Sequence, residues 1–369
     1  MDIISEIVSA LKSHDSVVLA MIVASSGSSP LPTGSSMLMC EHGRRVLGTV
    51  GGGLLEASVT EVAREFFGQT RESVLRIFEL SESGTDEGMI CGGIVEVLIE
   101  RIEEEVLPVF SRLADVCSAG NDCTLLRLID QSGRVSRYGL EDTPEQVVNI
   151  LPLATFLKEF GIDSGGFVQK LQRSHREEVV ARIAAQKGEL IIQPIVGIQP
   201  LIICGGGHVG RCLSRVAAAT GLTVTVIDDR VEYATPGRFP EASLTVSKQW
   251  NKAFAEIPVK PSTSIVIVTH GHESDKAVLR LAIGTPARYI GMIGSGRKVA
   301  ATYDGLRKEG VPLEALQRVH APIGLDIGAI TAEEIAISIV AELIRERRRF
   351  HGVSAPLSEK LDQRLGRDK

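Results

Sequence analysis

Apolar positions recur with two different periods along the chain. Ile3, Ile4, Ile7, Val8 and Leu11 fall on one stripe of Asp2–Ser13, which predicts an amphipathic helix. Ser16–Ala24 is a continuous apolar run of strand length, and Met37–Cys40 and Arg45–Thr49 read as two strands turned at His42-Gly43. Ser25–Ser36, rich in Gly, Ser and Pro, is a predicted loop. The glycine run Gly51–Gly53 opens a predicted helix to about Phe67. Val74–Leu80 and Ile94–Ile99 are predicted strands, separated by the loop Asp86–Gly93. Glu103–Ser118 reads as a helix, Cys123–Asp130 and Gly133–Tyr138 as a hairpin, Val168–Gln186 as a helix, and Leu190–Pro194 as a strand.

From Leu201 onward, strands and helices alternate. Predicted strands are Leu201–Cys204, Leu222–Ile227, Ser264–Thr269 and Arg288–Ile293. Predicted helices are Arg211–Thr220, Lys276–Ile283, one reaching about Gly310, and one reaching about Arg349. Gly221 suits a left-handed helix end, and Thr331-Ala332-Glu333-Glu334 reads as a capping box. This alternation predicts an α/β fold: a Rossmann-like, doubly wound parallel sheet in the C-terminal half. An α+β N-terminal half precedes it. The expected boundaries are 1–195, a linker over Ile195–Gln199, 199–350, and a polar tail over 351–369.

A length of 369 residues suits about two domains. With 4% aromatics and a net charge of −6, neither base stacking nor electrostatics recommends a nucleic-acid partner. The N-terminus carries acids at helical spacing instead of a basic, apolar leader, and no apolar run is long enough to span a membrane. A cytoplasmic protein is expected. None of the six cysteines forms C-x-x-C, so mostly buried thiols are expected.

Candidate chemistry collects at predicted strand ends. Gly205, Gly207 and Gly210 fit G-x-G-x-x-G around His208, and Asp228 closes the next strand. In that register, glycines admit a pyrophosphate to a helix N-terminus and the acid takes ribose hydroxyls. Arg230 leaves the choice between a free and a phosphorylated ribose open. Gly51, Gly52 and Gly53 either cradle an anion or make a tight turn, and Glu56 is either a functional acid or a first-turn acid. Cys91, beside two glycines, either faces a ligand or is buried. His270, His272 and Asp275 match part of a metal pattern, but Lys276 stands where a further ligand belongs, and no metal is assigned. Ser295, Arg297 and Lys298 read either as phosphate ligands or as a solvated helix start. No nucleophile–base arrangement can be assembled, so no catalytic residue is assigned. Binding or delivery is favoured over hydrolysis.

The stretches Gly48–Val59, Gly88–Glu100, Leu201–Gly210, Val268–Leu279, Tyr289–Lys298 and His320–Leu343 resemble, in order, the XdhC/CoxI family of xanthine dehydrogenase accessory proteins. The resemblance implies an N-terminal XdhC/CoxI domain before the Rossmann domain, and a maturation role. The chain would bind molybdenum cofactor (molybdopterin), shelter it during sulfuration, and hand it to an apo molybdenum hydroxylase of the xanthine dehydrogenase type. A cysteine desulfurase is the implied sulfur source, and a homodimer the implied assembly. The implied cofactor-binding set is Gly51, Gly52, Gly53, Glu56, Cys91, Gly205, Gly207, His208, Gly210, Asp228, His270, His272, Ser295, Arg297 and Lys298. Three positions depart from the family pattern: Leu54 where many relatives carry Cys, Gly271 in place of an acid, and Gly296 where arginine is common. The alternatives are an NAD(P)-dependent oxidoreductase and a nucleotide-sensing interaction module built on the Rossmann crevice.

Overall fold

A computed structural model of the chain describes residues 3–27, 31–40, 44–67, 72–80, 93–140, 157–158, 161–186 and 188–348. Cys91, the His42-Gly43 turn and the 351–369 tail lie outside them. Contacts divide the chain into two units: residues up to Pro200 with Gly221–Thr223, and Leu201–Thr220 with the residues from Val224 on.

The first unit is built on two antiparallel sheets. One has the order β3-β2-β1-β5-β4. Its strands are β1 (Ser16–Ser26), β2 (Ser36–Cys40), β3 (Arg44–Gly48), β4 (Ser73–Leu80) and β5 (Gly93–Glu103). The other has the order β7-β6-β9-β8, from β6 (Cys123–Asp130), β7 (Val135–Leu140), β8 (Ala181–Ala185) and β9 (Gly188–Ile195). β1 explains why its sequence reads as an unbroken apolar run: both faces are covered. Val18, Ala20 and Ile22 pack on Leu55, Val59 and Ala63 of α2 (Gly53–Glu65). Val17 and Leu19 join Ile4 and Ile7 of α1 (Ile3–Leu11), Phe110 and Leu113 of α3 (Leu107–Ser118), and Leu125 of β6. Met21 and Val23 meet Ile129 and Ile191 of the second sheet. The far face of that sheet is covered by Phe167 and Leu171 of α4 (Ser164–Glu177).

Between the two sheets sits a wholly buried ion pair. Arg127 Nε donates to Glu100 Oε1 at 2.5 Å and Arg127 Nη1 to Gln193 Oε1 at 2.7 Å, with both charged side chains at 0% exposure.

Two sequence expectations are corrected in this unit. The helix expected over Val168–Gln186 stops at Glu177, where Glu178 turns left-handed at φ 49. Ala181–Ala185 is instead an edge strand paired with β9, Ile183 opposite Leu190. Its alanines suit a helix, but pairing overrides that preference. The helix expected from Glu103 begins only at Leu107, because β5 runs on to Glu103 and a short 3-10 turn follows.

The second unit is a six-stranded sheet of order β12-β11-β10-β13-β14-β15. The strands are β10 (Pro200–Cys204), β11 (Thr223–Asp228), β12 (Leu244–Ser247), β13 (Ser264–Ile267), β14 (Tyr289–Met292) and β15 (Val319–His320). β10 runs parallel to β13 with Ile203 opposite Val266, and β13 parallel to β14 with Ile265 opposite Ile290. β12 and β15 extend the two edges, each also parallel to its neighbour. The helices are α5 (His208–Ala219), α6 (Trp250–Glu256), α7 (His272–Ile283), α8 (Gly296–Lys308), α9 (Leu313–Gln317) and α10 (Ala332–Arg347). β12, α6, α9 and β15 are short elements without a full apolar period, and the sequence pattern does not reveal them. Trp250 is 8% exposed and packs into the core with Ile227, Ile265 and Ile290. The strand order reverses between β10 and β13, so the crevice of this fold opens at their carboxyl ends.

The expected capping box is present: Glu334 N donates to Thr331 Oγ1 at 3.2 Å and Thr331 N to Glu334 Oε2 at 2.9 Å. Thr331→Ala is expected to cost about 1 kcal/mol, read as a lower urea midpoint at unchanged slope. Among the described residues, no helix is long and apolar enough to cross a membrane.

Candidate functional site

The glycine loop after β10 has three different physical reasons for its glycines. Gly205 has φ +123, and a Cβ there would lie 2.3 Å from Val268 O. A Cβ on Gly210 would lie 1.9 Å from Gly205 O, so the start of α5 can approach the loop only without one. At Gly207, nothing lies within 4 Å of a would-be Cβ. Gly207 is also the N-cap of α5, and no side chain caps the helix, leaving first-turn amides free to meet an anion. The helix begins at His208, earlier than Arg211 as its apolar period suggests, and the His208 side chain is exposed.

Asp228 ends β11 as expected, but its carboxylate is occupied within the chain. Gly206 N donates to Oδ2 at 2.8 Å, and Arg230 supplies its backbone N, Nε and Nη2 at 2.9–3.0 Å. Burial pushes this carboxyl up; the Arg230 and Gly206 hydrogen bonds outweigh it and hold the group below the usual carboxylate range.

The loops after β13 and β14 form a second polar set. Asp275 is fully buried, accepts from Thr269 Oγ1 at 2.5 Å and pairs with Lys298 Nζ. Lys298 is therefore not an uncommitted phosphate ligand. Ser295 is the N-cap of α8, and its hydroxyl accepts from Lys298 N at 3.4 Å. Of that predicted trio, Arg297 is the exposed cation with no ion pair among the described residues. His272 opens α7, and its Nδ1 lies 3.2 Å from Thr302 Oγ1. The same hydroxyl lies 2.9 Å from Lys298 O, and the His272 side chain is exposed. His270 is exposed. Among the described residues, no group of three or more His, Cys, Asp or Glu side chains is placed to hold a metal.

In the N-terminal unit, Gly51, Gly52 and Gly53 all take positive φ, at 129°, 74° and 57°. Nothing lies within 4 Å of a Cβ on Gly52 or Gly53. Gly52 and Gly53 are thus demanded by backbone conformation and not by crowding. α2 starts here with no side-chain cap, and Glu56 in its first turn accepts from the Thr49 hydroxyl. Leu54 is 62% exposed beside the bend.

Residues 201–343 match the XdhC Rossmann domain, and residues 10–77 match the XdhC and CoxI family.

The chain belongs to the XdhC and CoxI family.

Over 92% of its length it is 27% identical to a probable xanthine dehydrogenase subunit of Bacillus subtilis, 96% of which is covered. It is 25% identical to the molybdenum cofactor insertion chaperone PaoD of Escherichia coli, over 92% of this chain and 86% of that one. A crystal structure described as a xanthine dehydrogenase of Bacillus halodurans superposes with a TM-score of 0.70 at 24% identity, covering 97% of this chain and 99% of that one. That likeness shows the fold.

The last XdhC motif, His320–Leu343, contains a cluster that sequence reasoning missed. Glu342 lies on the buried face of α10 with its side chain 7% exposed. It accepts from Tyr289 OH at 2.8 Å and from Gly324 N at 2.7 Å, with His320 Nδ1 at 3.4 Å and Arg345 Nη2 at 3.3 Å. Ser338 Oγ donates to Leu325 O at 2.6 Å, so α10 holds the loop from its own side. Ile323 N donates to Met292 O at 3.0 Å, placing this loop over the carboxyl end of β14. A lone acid among the apolar Ile339, Val340 and Leu343 is the signal that marks it in the sequence.

Burial pushes the Glu342 carboxyl up, yet the bonds from His320, Gly324 and Tyr289 outweigh it and hold the group below its ordinary value. A carboxyl lowered by folding stabilises above its unfolded pKa. Its contribution is complete above about pH 5 and is lost as pH falls through the folded value. Glu342→Gln is expected to flatten this acid limb in urea titrations between about pH 6 and pH 3.

Proposed function

We propose that this chain is a maturation factor that handles the molybdenum cofactor for a xanthine dehydrogenase-type molybdenum hydroxylase. One observation carries the reading: PaoD, described as a molybdenum cofactor insertion chaperone, aligns along nearly the whole of both chains. The B. subtilis relative supports the class of enzyme served. The residues present fit the anionic end of such a cofactor. Gly52 and Gly53, in open space at the uncapped head of α2, and Gly207, in open space at the uncapped head of α5, are each a geometry suited to an anion. His208, His270, His272 and Arg297, all exposed, are proposed as polar contacts for the rest of the molecule. Glu56 and Cys91 stay in the proposed set. Keeping the cofactor until a cysteine desulfurase has supplied its terminal sulfur, delivery to the apo-enzyme, a homodimeric state and a cytoplasmic location are the finer parts of the proposal.

Anaerobic calorimetric titration with molybdenum cofactor tests it. Micromolar binding is expected, weakened about tenfold or more by Gly52→Val, which puts a branched side chain at φ +74. No binding by a folded chain overturns the reading. A nucleotide in the Rossmann crevice is a second, compatible reading, supported by the Gly205–Gly210 geometry. It serves equally an NAD(P)-dependent oxidoreductase or a nucleotide-sensing module.

A further inference from the structure

An acid at the end of the second Rossmann strand ordinarily offers its oxygens to a ribose diol. Asp228 has little to offer, since its side chain is 0% exposed and both oxygens already accept two hydrogen bonds each. About two lone-pair sites per carboxylate oxygen are then filled. A diol would have to displace a guanidinium held by charge-assisted bonds to a buried carboxylate, or strip Gly206 N of its partner.

The cation side of the same pair is not used up. Arg230 spends Nε and one Nη2 hydrogen on Asp228, and its side chain is 28% exposed. Its guanidinium carbon lies 3.5 Å from the Tyr233 ring centroid. The Arg238 guanidinium lies 5.1 Å from the same centroid, and its Nε donates to Gly206 O at 3.1 Å. Tyr233 is itself tied to the loop, since a Cβ on Gly206 would lie 2.1 Å from Tyr233 O. Two guanidiniums, each anchored along one edge, therefore converge on one ring beside the glycine loop with donors to spare. The carboxylate cancels one of the two positive charges. Asp229, the adjacent acid, is exposed and screened by solvent.

We propose that the crevice selects a nucleotide carrying a phosphate on its ribose, read by Arg230 and Arg238, and discriminates against a free ribose diol. A phosphate displaces nothing, and the fixed forks suit its oxygens. Asp228 becomes a positioning residue that aims Arg230 and fastens the glycine loop. The inference rests on the nucleotide reading of the crevice and is independent of the cofactor-maturation reading.

Calorimetric titration of the full chain at low ionic strength tests it with two matched pairs: NADP+ against NAD+, and 2′,5′-ADP against 5′-AMP. The 2′-phosphorylated member of each pair is expected to bind about tenfold or more tightly. Arg230→Lys and Arg238→Ala, two variants that do not strip Asp228 of all positive charge, are each expected to shrink that ratio toward one. Equal or tighter binding of NAD+ and 5′-AMP overturns this inference while leaving the nucleotide reading standing. Failure of all four probes to bind a folded chain at about 1 mM overturns both.

Discussion

Arg127→Met is expected to lower the unfolding free energy by about 3–5 kcal/mol, because it removes the guanidinium paired with the buried Glu100 carboxylate. The carboxylate lies between two sheets with no exposure, and Gln193 is a neutral amide that cannot replace a guanidinium. Glu100 will escape part of the penalty by taking up a proton, so the loss should grow as pH rises. Urea denaturation followed by far-ultraviolet circular dichroism at two pH values measures both effects. Arg127→Met combined with Glu100→Met should recover much of the loss, since a buried ion pair stabilises little more than apolar side chains of similar size. A double variant as unstable as the single one would show that packing, not charge, is what Arg127 contributes.

Gly210→Ala should damage the Gly205–Gly210 loop far more than its small volume suggests. Its Cβ would sit 1.9 Å from Gly205 O, so the first turn of α5 and the loop must move apart. Overpacking of this kind costs about 1–3 kcal/mol. It also displaces the first-turn amides of α5, so the nucleotide affinity proposed for the crevice should fall about a hundredfold or more. Gly207→Ala is the matched control for stability. There φ is −69° and no atom lies within 4 Å of the new carbon, so the change in unfolding free energy should stay within about 0.5 kcal/mol. Equal destabilisation by the two variants would refute the close-approach account.

What could be read from the sequence depended on how local its cause was. Gly205–Gly210, Gly221 and the Thr331 capping box were legible because a few neighbouring residues determine them. The parallel sheet was legible from its long apolar periods. β8 was not, because Ala181–Ala185 becomes a strand only by pairing with β9. At the candidate site, positions were legible and partners were not. Lys298 and Asp228 are where sequence reasoning puts them, yet each is engaged by a group that only folding brings near. Lys298 meets Asp275 across 23 residues, and Asp228 meets Gly206 across 22. Glu342 escaped notice because its partners Tyr289, His320 and Gly324 come from β14 and from the stretch His320–Gly324, 53 to 18 residues away.

The chain has a single tryptophan, and Trp250 is packed into the parallel-sheet unit. Its fluorescence therefore watches one half of the protein and is blind to the other. Gly210→Ala should shift the emission transition directly. Arg127→Met acts in the antiparallel half and should leave that transition alone if the halves melt separately, or drag it down in step if they melt as one.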